Sequence, residues 1–331
     1  MGPGFMMRRR GLLLAGGAAG AGLLAAPAVH AQGAWPNRPV RVIVPFTPGG
    51  ATDGMARVTA GKLAEKLGQP FVVENRAGAN GAVGGQAVAQ AAPDGYTLCF
   101  SASIQILARL VMRNPGYDPV ADLAPVARVG QGPLLLVMNR ARPQQTLAET
   151  LAAVRANPRD WPFAVSSLGA AGHLATIEFT RQAGVDLTHV PYRGTAPALT
   201  DVVAGNVQLM FDPILATLPQ VRNGNVRGLC ITAARRSQAA PEIPTAEEAG
   251  MPGLDIQSWW ALWGPRALPA EITARIGEVL RTGMFEPDVL ARVGTLGIEP
   301  LAEIGPDFAA FIRRDFERSD QLLRIANFQP E

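Results

Sequence analysis

Short apolar runs that end in glycine-rich loops, each followed by a helical pattern, recur from residue 40 onward and dictate the fold class. Val40–Val44 runs into Pro45-Phe46-Thr47-Pro48-Gly49-Gly50, and Ala51–Leu67 then places Met55, Val58, Leu63 and Leu67 at helical spacing before Gly68. The same sequence of events is read at Phe71–Val73, at Tyr96–Phe100 ahead of Ser101-Ala102-Ser103, at Phe163–Val165 ahead of Ser166–Gly172, and at Leu187–Val190 ahead of Pro191–Thr195. Further strands are expected at Leu134–Met138, Val207–Phe211 and Val226–Ile231, and an extended aromatic segment at 254–264. Helices are expected over Leu147–Ala156, Ala196–Ala204, Ala270–Thr282, Asp288–Thr295 and Gly305–Ile325. Strands alternating with helices predict an α/β fold of mostly parallel sheets covered on both faces, with ligand bound outside the carboxyl ends of the strands. Val44-Pro45-Phe46 and Val190-Pro191-Tyr192 are matching strand ends, which suggests two similar halves.

The first 31 residues read as a cleaved leader. Arg8-Arg9-Arg10 precedes an uncharged run from Gly11 to Ala26, and Val29-His30-Ala31 supplies a cleavage site after Ala31. The run is shorter than the roughly 20 residues that span a bilayer, so an anchor is the weaker alternative. Arg9-Arg10 fits a twin-arginine signal as well as the general secretory route. All three leader arginines count toward the 30 basic residues, and the first acid is Asp53. The mature chain therefore balances 27 basic against 27 acidic residues, which removes the case for a nucleic-acid partner or a charged membrane surface. With 48% apolar residues the chain is not expected to be disordered, and its leader predicts an exported mature protein. Its two cysteines, Cys99 and Cys230, lie in apolar runs and are expected as buried free thiols, a disulfide being the alternative.

No catalytic or metal constellation stands out. The mature chain has only His173 and His189, without ligand spacing, so no metal and no cofactor is expected. There is no Gly-x-Ser-x-Gly elbow and no phosphate-binding P-loop. Ser167 and His173 leave a serine hydrolase as a remote alternative.

The remaining chemistry is anion binding by glycine-rich helix starts, where free N–H groups and the helix dipole favour negative charge. Phe46, Thr47, Pro48, Gly49, Gly50, Thr52 and Asp53 form the first candidate loop. Ser167 and Gly169, then Arg193, Gly194, Thr195 and Ala196, form the candidates in the second half. Asn80, Ser101, His173 and Asp212 are added from other strand ends and helix starts. Each has a structural alternative: Asp53 bracing its helix, Arg193 solvated, His173 packed, Asn80 and Asp212 in turns, and Trp259, Trp260 and Trp263 in the core rather than against a ligand.

The ordered motifs resemble one family along essentially the whole mature chain. Trp35-Pro36, Pro45–Asp53, Val73–Gly81, Ala92–Leu98, His189–Leu199 and Ile243–Gly250 are together similar to Bug-type proteins, the extracytoplasmic receptors of tripartite tricarboxylate transporters. The resemblance implies a two-lobe periplasmic binding protein of Venus-flytrap, type II-like form, each lobe a sheet flanked by helices. Lobe 1 would comprise 32–133 plus 254–331, and lobe 2 would comprise 134–253, with 254–264 as one hinge crossing. Its ligands would be small carboxylates (dicarboxylate, tricarboxylate, acidic amino acid or aromatic acid), held mainly by the loops at Thr47–Asp53 and Arg193–Ala196. Cys99 and Cys230 would fall in different lobes. The partners implied are integral-membrane transporter subunits, with a membrane sensor kinase as the alternative, and the receptor would act as a monomer without enzymatic activity.

Overall fold

The computed structural model describes residues 35–295 and 297–330. The leader and its cleavage site lie outside the described residues.

Val40–Val44 (β1) is flanked in parallel by Phe71–Asn75 (β2) and Thr97–Ala102 (β3), with Ala51–Leu67 (α1), Ala82–Ala89 (α2) and Ile104–Val111 (α3) between and after them. Leu123–Asn139 (β4) is one 17-residue strand, far longer than the expected Leu134–Met138. Leu147–Ala156 (α4), Phe163–Val165 (β5), Ala171–Ala183 (α5), His189–Pro191 (β6), Thr195–Ala204 (α6), Leu209–Pro213 (β7), Ile214–Arg222 (α7) and Val226–Ile231 (β8) follow. The chain then returns through Gln257–Pro265 (β9), Ala270–Gly283 (α8), Pro287–Gly294 (α9), Glu299–Ile304 (β10) and Pro306–Ile325 (α10).

Two sheets share β4. Its first part pairs antiparallel with β9 and β10, and β9 joins β3, so the first sheet runs β2-β1-β3-β9-β4-β10. Its second part pairs antiparallel with β7 and β8, and β7 continues in parallel to β5 and β6. Parallel pairing therefore holds for β1–β3 and β5–β7, as the strand–loop–helix pattern requires, but the sheets as a whole are mixed. The physical reason is β4 and β9, which run back through both halves instead of alternating with helices.

The pleat sends successive side chains to opposite faces. Leu135 and Val137 enter one core with α1, α6, α7 and α8 residues, while Leu134, Leu136 and Met138 enter another with α3, α5 and α10 residues. Each core runs across both sheets because β4 does. The tryptophans follow the same rule: Trp260 faces the first core, and Trp259 and Trp263 face the second. Trp259 Nε1 donates to Asp315 Oδ2 at 3.0 Å. The aromatic segment thus forms core, the alternative weighed for it above.

Cys99 on β3 and Cys230 on β8 are both fully buried free thiols, and burial pushes each thiol up to about 12. Thiolate is the reactive form, so neither should react at pH 8 in the folded protein. A disulfide-exchange colorimetric reagent is expected to titrate no thiol in native protein and both after denaturation. Stoichiometric labelling of the native state would contradict this packing.

Candidate functional site

Five strands deliver their carboxyl ends, and the helices that follow them, to one cleft. Gly50, Ser103, Ala170, Gly194 and Pro213 are the residues immediately preceding α1, α3, α5, α6 and α7, and all five line it. None of these helices has its first N–H groups capped by the preceding side chain. The starts of α2, α8, α9 and α10, away from the cleft, are likewise uncapped, and Thr146 alone among the described helix starts caps its helix, α4. The free volume enclosed in the cleft is about 50 Å³, tight even for a small ligand. Its wall also includes Phe46, Thr47, Thr52, Asp53, Ser166, Ser167, Thr195, Asp212 and Ser258.

Nine of the candidates from sequence therefore meet here: Phe46, Thr47, Gly50, Thr52, Asp53, Ser167, Gly194, Thr195 and Asp212. Asn80 and Arg193 line an adjoining cavity that shares Phe46 and Ser167 with the cleft. In that cavity Pro45-Phe46 faces Pro191-Tyr192, so the repeated strand-end motif meets its own counterpart. Asn80 also donates from Nδ2 to the Leu168 carbonyl at 2.7 Å, tying the loop after β2 to the loop after β5. Gly49 and Ala196 line a third hollow on the far side of Thr195. Pro48 is exposed and lines none of these cavities.

Three candidates sit behind the wall instead of in it. Ser101 is fully buried on β3, where the pleat turns it away from the cleft that Ala102 and Ser103 reach. The Gly169 N–H donates to His173 Nδ1 at 3.0 Å, and the His173 ring packs edge-on to His189 and Phe328. Burial, helped by His189, drives the His173 pKa down to about 3, so this imidazole is neutral. Its Nδ1 is committed to the backbone, and no hydrogen bond joins Ser167 to His173 among the described residues. The serine-hydrolase geometry is thus not assembled.

The two carboxylates of the cleft differ sharply. Asp53 is buried but receives Arg57 Nε and Nη2 at 3.0 Å each, Asn75 Nδ2 at 3.0 Å and the Gly49 N–H at 3.1 Å. Burial by itself raises its pKa, and these donors outweigh burial, so Asp53 stays ionised below the ordinary carboxylate range. Asp212 is equally buried and has no cation. Burial pushes it up to about 7 against the hydrogen bonds of Ser166 and Thr195, the latter with Oγ1 3.1 and 3.2 Å from its two oxygens.

Backbone without side chains makes room for this arrangement. A Cβ on Gly172 would run into the Phe211 carbonyl, so only glycine lets α5 start so close to β7. Thr47 Oγ1, on the cleft wall, is buried without a protein partner, an arrangement native proteins rarely leave unanswered. Sequence reasoning missed Ser103, Ser166, Ala170, Pro213 and Ser258, whose only signal was their position at a strand end or helix start. Among the described residues no group of three His, Cys, Asp or Glu is placed to hold a metal. No helix among them is long and apolar enough to cross a membrane.

Known proteins share this architecture and sequence. Residues 55–328 match the model of the tripartite tricarboxylate transporter family receptor. Protein BugT of Bordetella pertussis is 36% identical over 292 residues, covering 88% of this chain and 90% of BugT. The Rhodopseudomonas palustris protein Rpa4515, solved with adipate, superposes with a TM-score of 0.87 at 35% identity, covering 90% of this chain and all of that one. MatC of the same organism, solved with bound malate, gives 0.81 at 33% identity, covering 87% of this chain and 99% of MatC. With its strand ends, uncapped helix starts and two-lobe α/β fold, the chain belongs to the tripartite tricarboxylate transporter receptor family, the Bug-type periplasmic solute-binding proteins.

Proposed function

We propose that the mature chain, released by cleavage after Ala31, is a monomeric receptor that captures a small carboxylate and hands it to the membrane subunits of a tripartite tricarboxylate transporter, without catalysing a reaction. The cleft that the five uncapped helix starts share carries this reading. Each helix end favours a nearby anion by about 0.3–1 kcal/mol, more when partly buried, so five give on the order of several kcal/mol. Asp53 does not oppose this, because Arg57 neutralises it. The adipate and malate of the similar structures are small acids of the charge that such a cleft suits.

The ligand lies between lobe 1, residues 32–133 with 254–331, and lobe 2, residues 134–253. The hinge is the pair of crossings where β4 passes Pro133 and β9 begins at Gln257, positions that pair with each other. The Thr232 hydroxyl braces this point by accepting from Leu134 N–H at 2.9 Å and donating to the Ile256 carbonyl. Asn80–Leu168 is a contact made only when the lobes are closed.

Thermal unfolding across adipate, malate, succinate, citrate, aspartate, glutamate and nicotinate tests the ligand class. A bound acid at about 100 times its Kd adds about 2.7 kcal/mol, a rise of roughly 5 °C or more for a chain this size. Protein verified ligand-free by native mass spectrometry and unmoved by every acid would sink the carboxylate reading.

Gly194→Val tests the second-lobe loop. Gly194 has φ +123°, where L side chains are strained, and a Cβ there would lie 2.7 Å from Thr47 Oγ1. We expect a folded protein, destabilised by about 1–3 kcal/mol, that binds the best acid at least tenfold more weakly by calorimetry. Unchanged affinity would remove this loop from the site. Gly50→Val, at φ −83° with Thr195 3.6 Å from the added carbon, should weaken binding with less loss of stability.

A further inference from the structure

Asp212 is the unexplained group of the cleft. It is 1% exposed at the end of β7, adjoins the start of α7, and shares the cleft wall with the starts of α1, α3, α5 and α6. An ionised carboxylate there would place a second anion beside the one the cleft is built to receive. Like charges in a site of low dielectric do not both stay ionised. An ionised carboxylate also only accepts hydrogen bonds, whereas a ligand carboxylate needs donors, and a protonated side chain becomes one.

We infer that Asp212 couples anion capture to the uptake of one proton, meeting the ligand carboxylate as a carboxylic acid whose O–H donates to it. The inference rests on the carboxylate reading above. The proton comes from bulk buffer as the ligand enters and returns to it on release, and no covalent bond changes.

Among the described residues no charged side chain keeps Asp212 ionised; only the Ser166 and Thr195 hydrogen bonds and the start of α7 favour its anion, against its burial. Its β4 partner is Leu135 within the apolar Leu134–Met138 stretch, and β5 is Phe163–Val165, which has no titratable group. On α5, His173 is neutral and bonded to Gly169, and Glu178 pairs with Arg181. On α6, Asp201 accepts from the Tyr192 hydroxyl and Asn206. On α7, Arg222 donates to the Ala239 carbonyl at 2.7 Å. Across the cleft, Asp53 is held by Arg57. Burial pushes Asp212 up to about 7 in this structure, so a modest further push from a neighbouring anion protonates it in the neutral range.

Titration calorimetry of the full mature protein with adipate, malate and succinate, in phosphate and in Tris at the same pH, counts the protons exchanged. These acids are fully ionised from about pH 7 upward, so any proton taken up belongs to the protein. Near pH 8 the uptake should approach about one per ligand, and Kd should rise by up to about tenfold per pH unit above neutrality. Asp212→Asn, which cannot titrate, should lose both the uptake and the slope. Heat of binding with no proton uptake in wild-type protein overturns the inference and leaves the receptor reading intact. Uptake that persists in Asp212→Asn assigns the proton elsewhere and also overturns it. Aspartate binding more tightly than succinate, with affinity improving as pH rises, would make Asp212 an ammonium counter-ion and overturn it too. No heat from any of these acids overturns the receptor reading and the inference together. The wild-type proton count decides even where the variant fails to fold.

Discussion

Five sets of helix N–H groups share one cleft without side-chain caps, and most of the molecule can be read as a consequence. A helix start leaves donors that need an acceptor. Here β1, β3, β5, β6 and β7 all point their carboxyl ends at the same place, so five sets of such donors are gathered around one cleft. Small residues precede most of these helices, Gly50, Ser103, Ala170 and Gly194, because a larger side chain would fill the space the donors surround. Among the described residues no arginine or lysine lines the cleft; Arg57, behind it, is spent on Asp53, and Arg193 lines the adjoining cavity. Positive potential in the cleft therefore comes from backbone and not from a side-chain charge.

The frame that holds these starts in place is β4 with β9. Because β4 belongs to both sheets, a shift in its register would turn all its core residues to the wrong face in both halves at once. Irregularities in its ladder, between Pro125 and Ala127, between Arg128 and Gly130, and between Leu136 and Val137, bend it within each sheet, and it passes from one sheet to the other between Pro133 and Leu134. Arg128, in the first-sheet part of β4, is buried, paired with Glu303 on β10 and lying 3.6 Å over the Phe311 ring, which fastens the C-terminal strand and helix to the frame.

Much of this was legible in the residues. Val40–Val44, Ala51–Leu67, Leu147–Ala156, Phe163–Val165 and Val226–Ile231 form with the bounds that hydrophobic spacing and glycine stops assign to them. The first half of β4 was not legible, since Pro125, Gly130, Gly132 and Pro133 punctuate it as a loop would; pairing on both sides overrides that local signal. Pro219 hid α7 and Pro300 hid β10 in the same way. At the cleft, loops with a glycine signature were identified, whereas Ser166, Ala170, Pro213 and Ser258 carry no local mark and are placed only by tertiary packing. His173 and Ser101 looked like site residues because they share a helix start or a strand end with true wall residues. Which side of such an element faces the cleft is decided by the pleat and by neighbours far away in sequence.

No lysine or arginine lines the cleft among the described residues, and for the proposed anion site this has a mechanical meaning. A lysine or arginine on one lobe would hold a carboxylate nearly as well with the lobes apart as together, and a ligand moves an equilibrium only by its differential affinity for the two states. Helix starts behave differently, because their influence fades within about one turn. The starts of α1 and α3 belong to the first proposed lobe, and those of α5, α6 and α7 to the second, so an anion gains the full set only after closure. Taking a lobe pair from mostly open to mostly closed, 1:99 to 99:1, needs about 5.5 kcal/mol of differential binding. Three helix ends at about 1–2 kcal/mol each in a partly buried setting reach that order without any charged side chain. On the proposed reading, a cleft ordered this way would release its ligand when the lobes part, as a receptor surrendering its cargo to a membrane partner requires and a permanent salt bridge would resist.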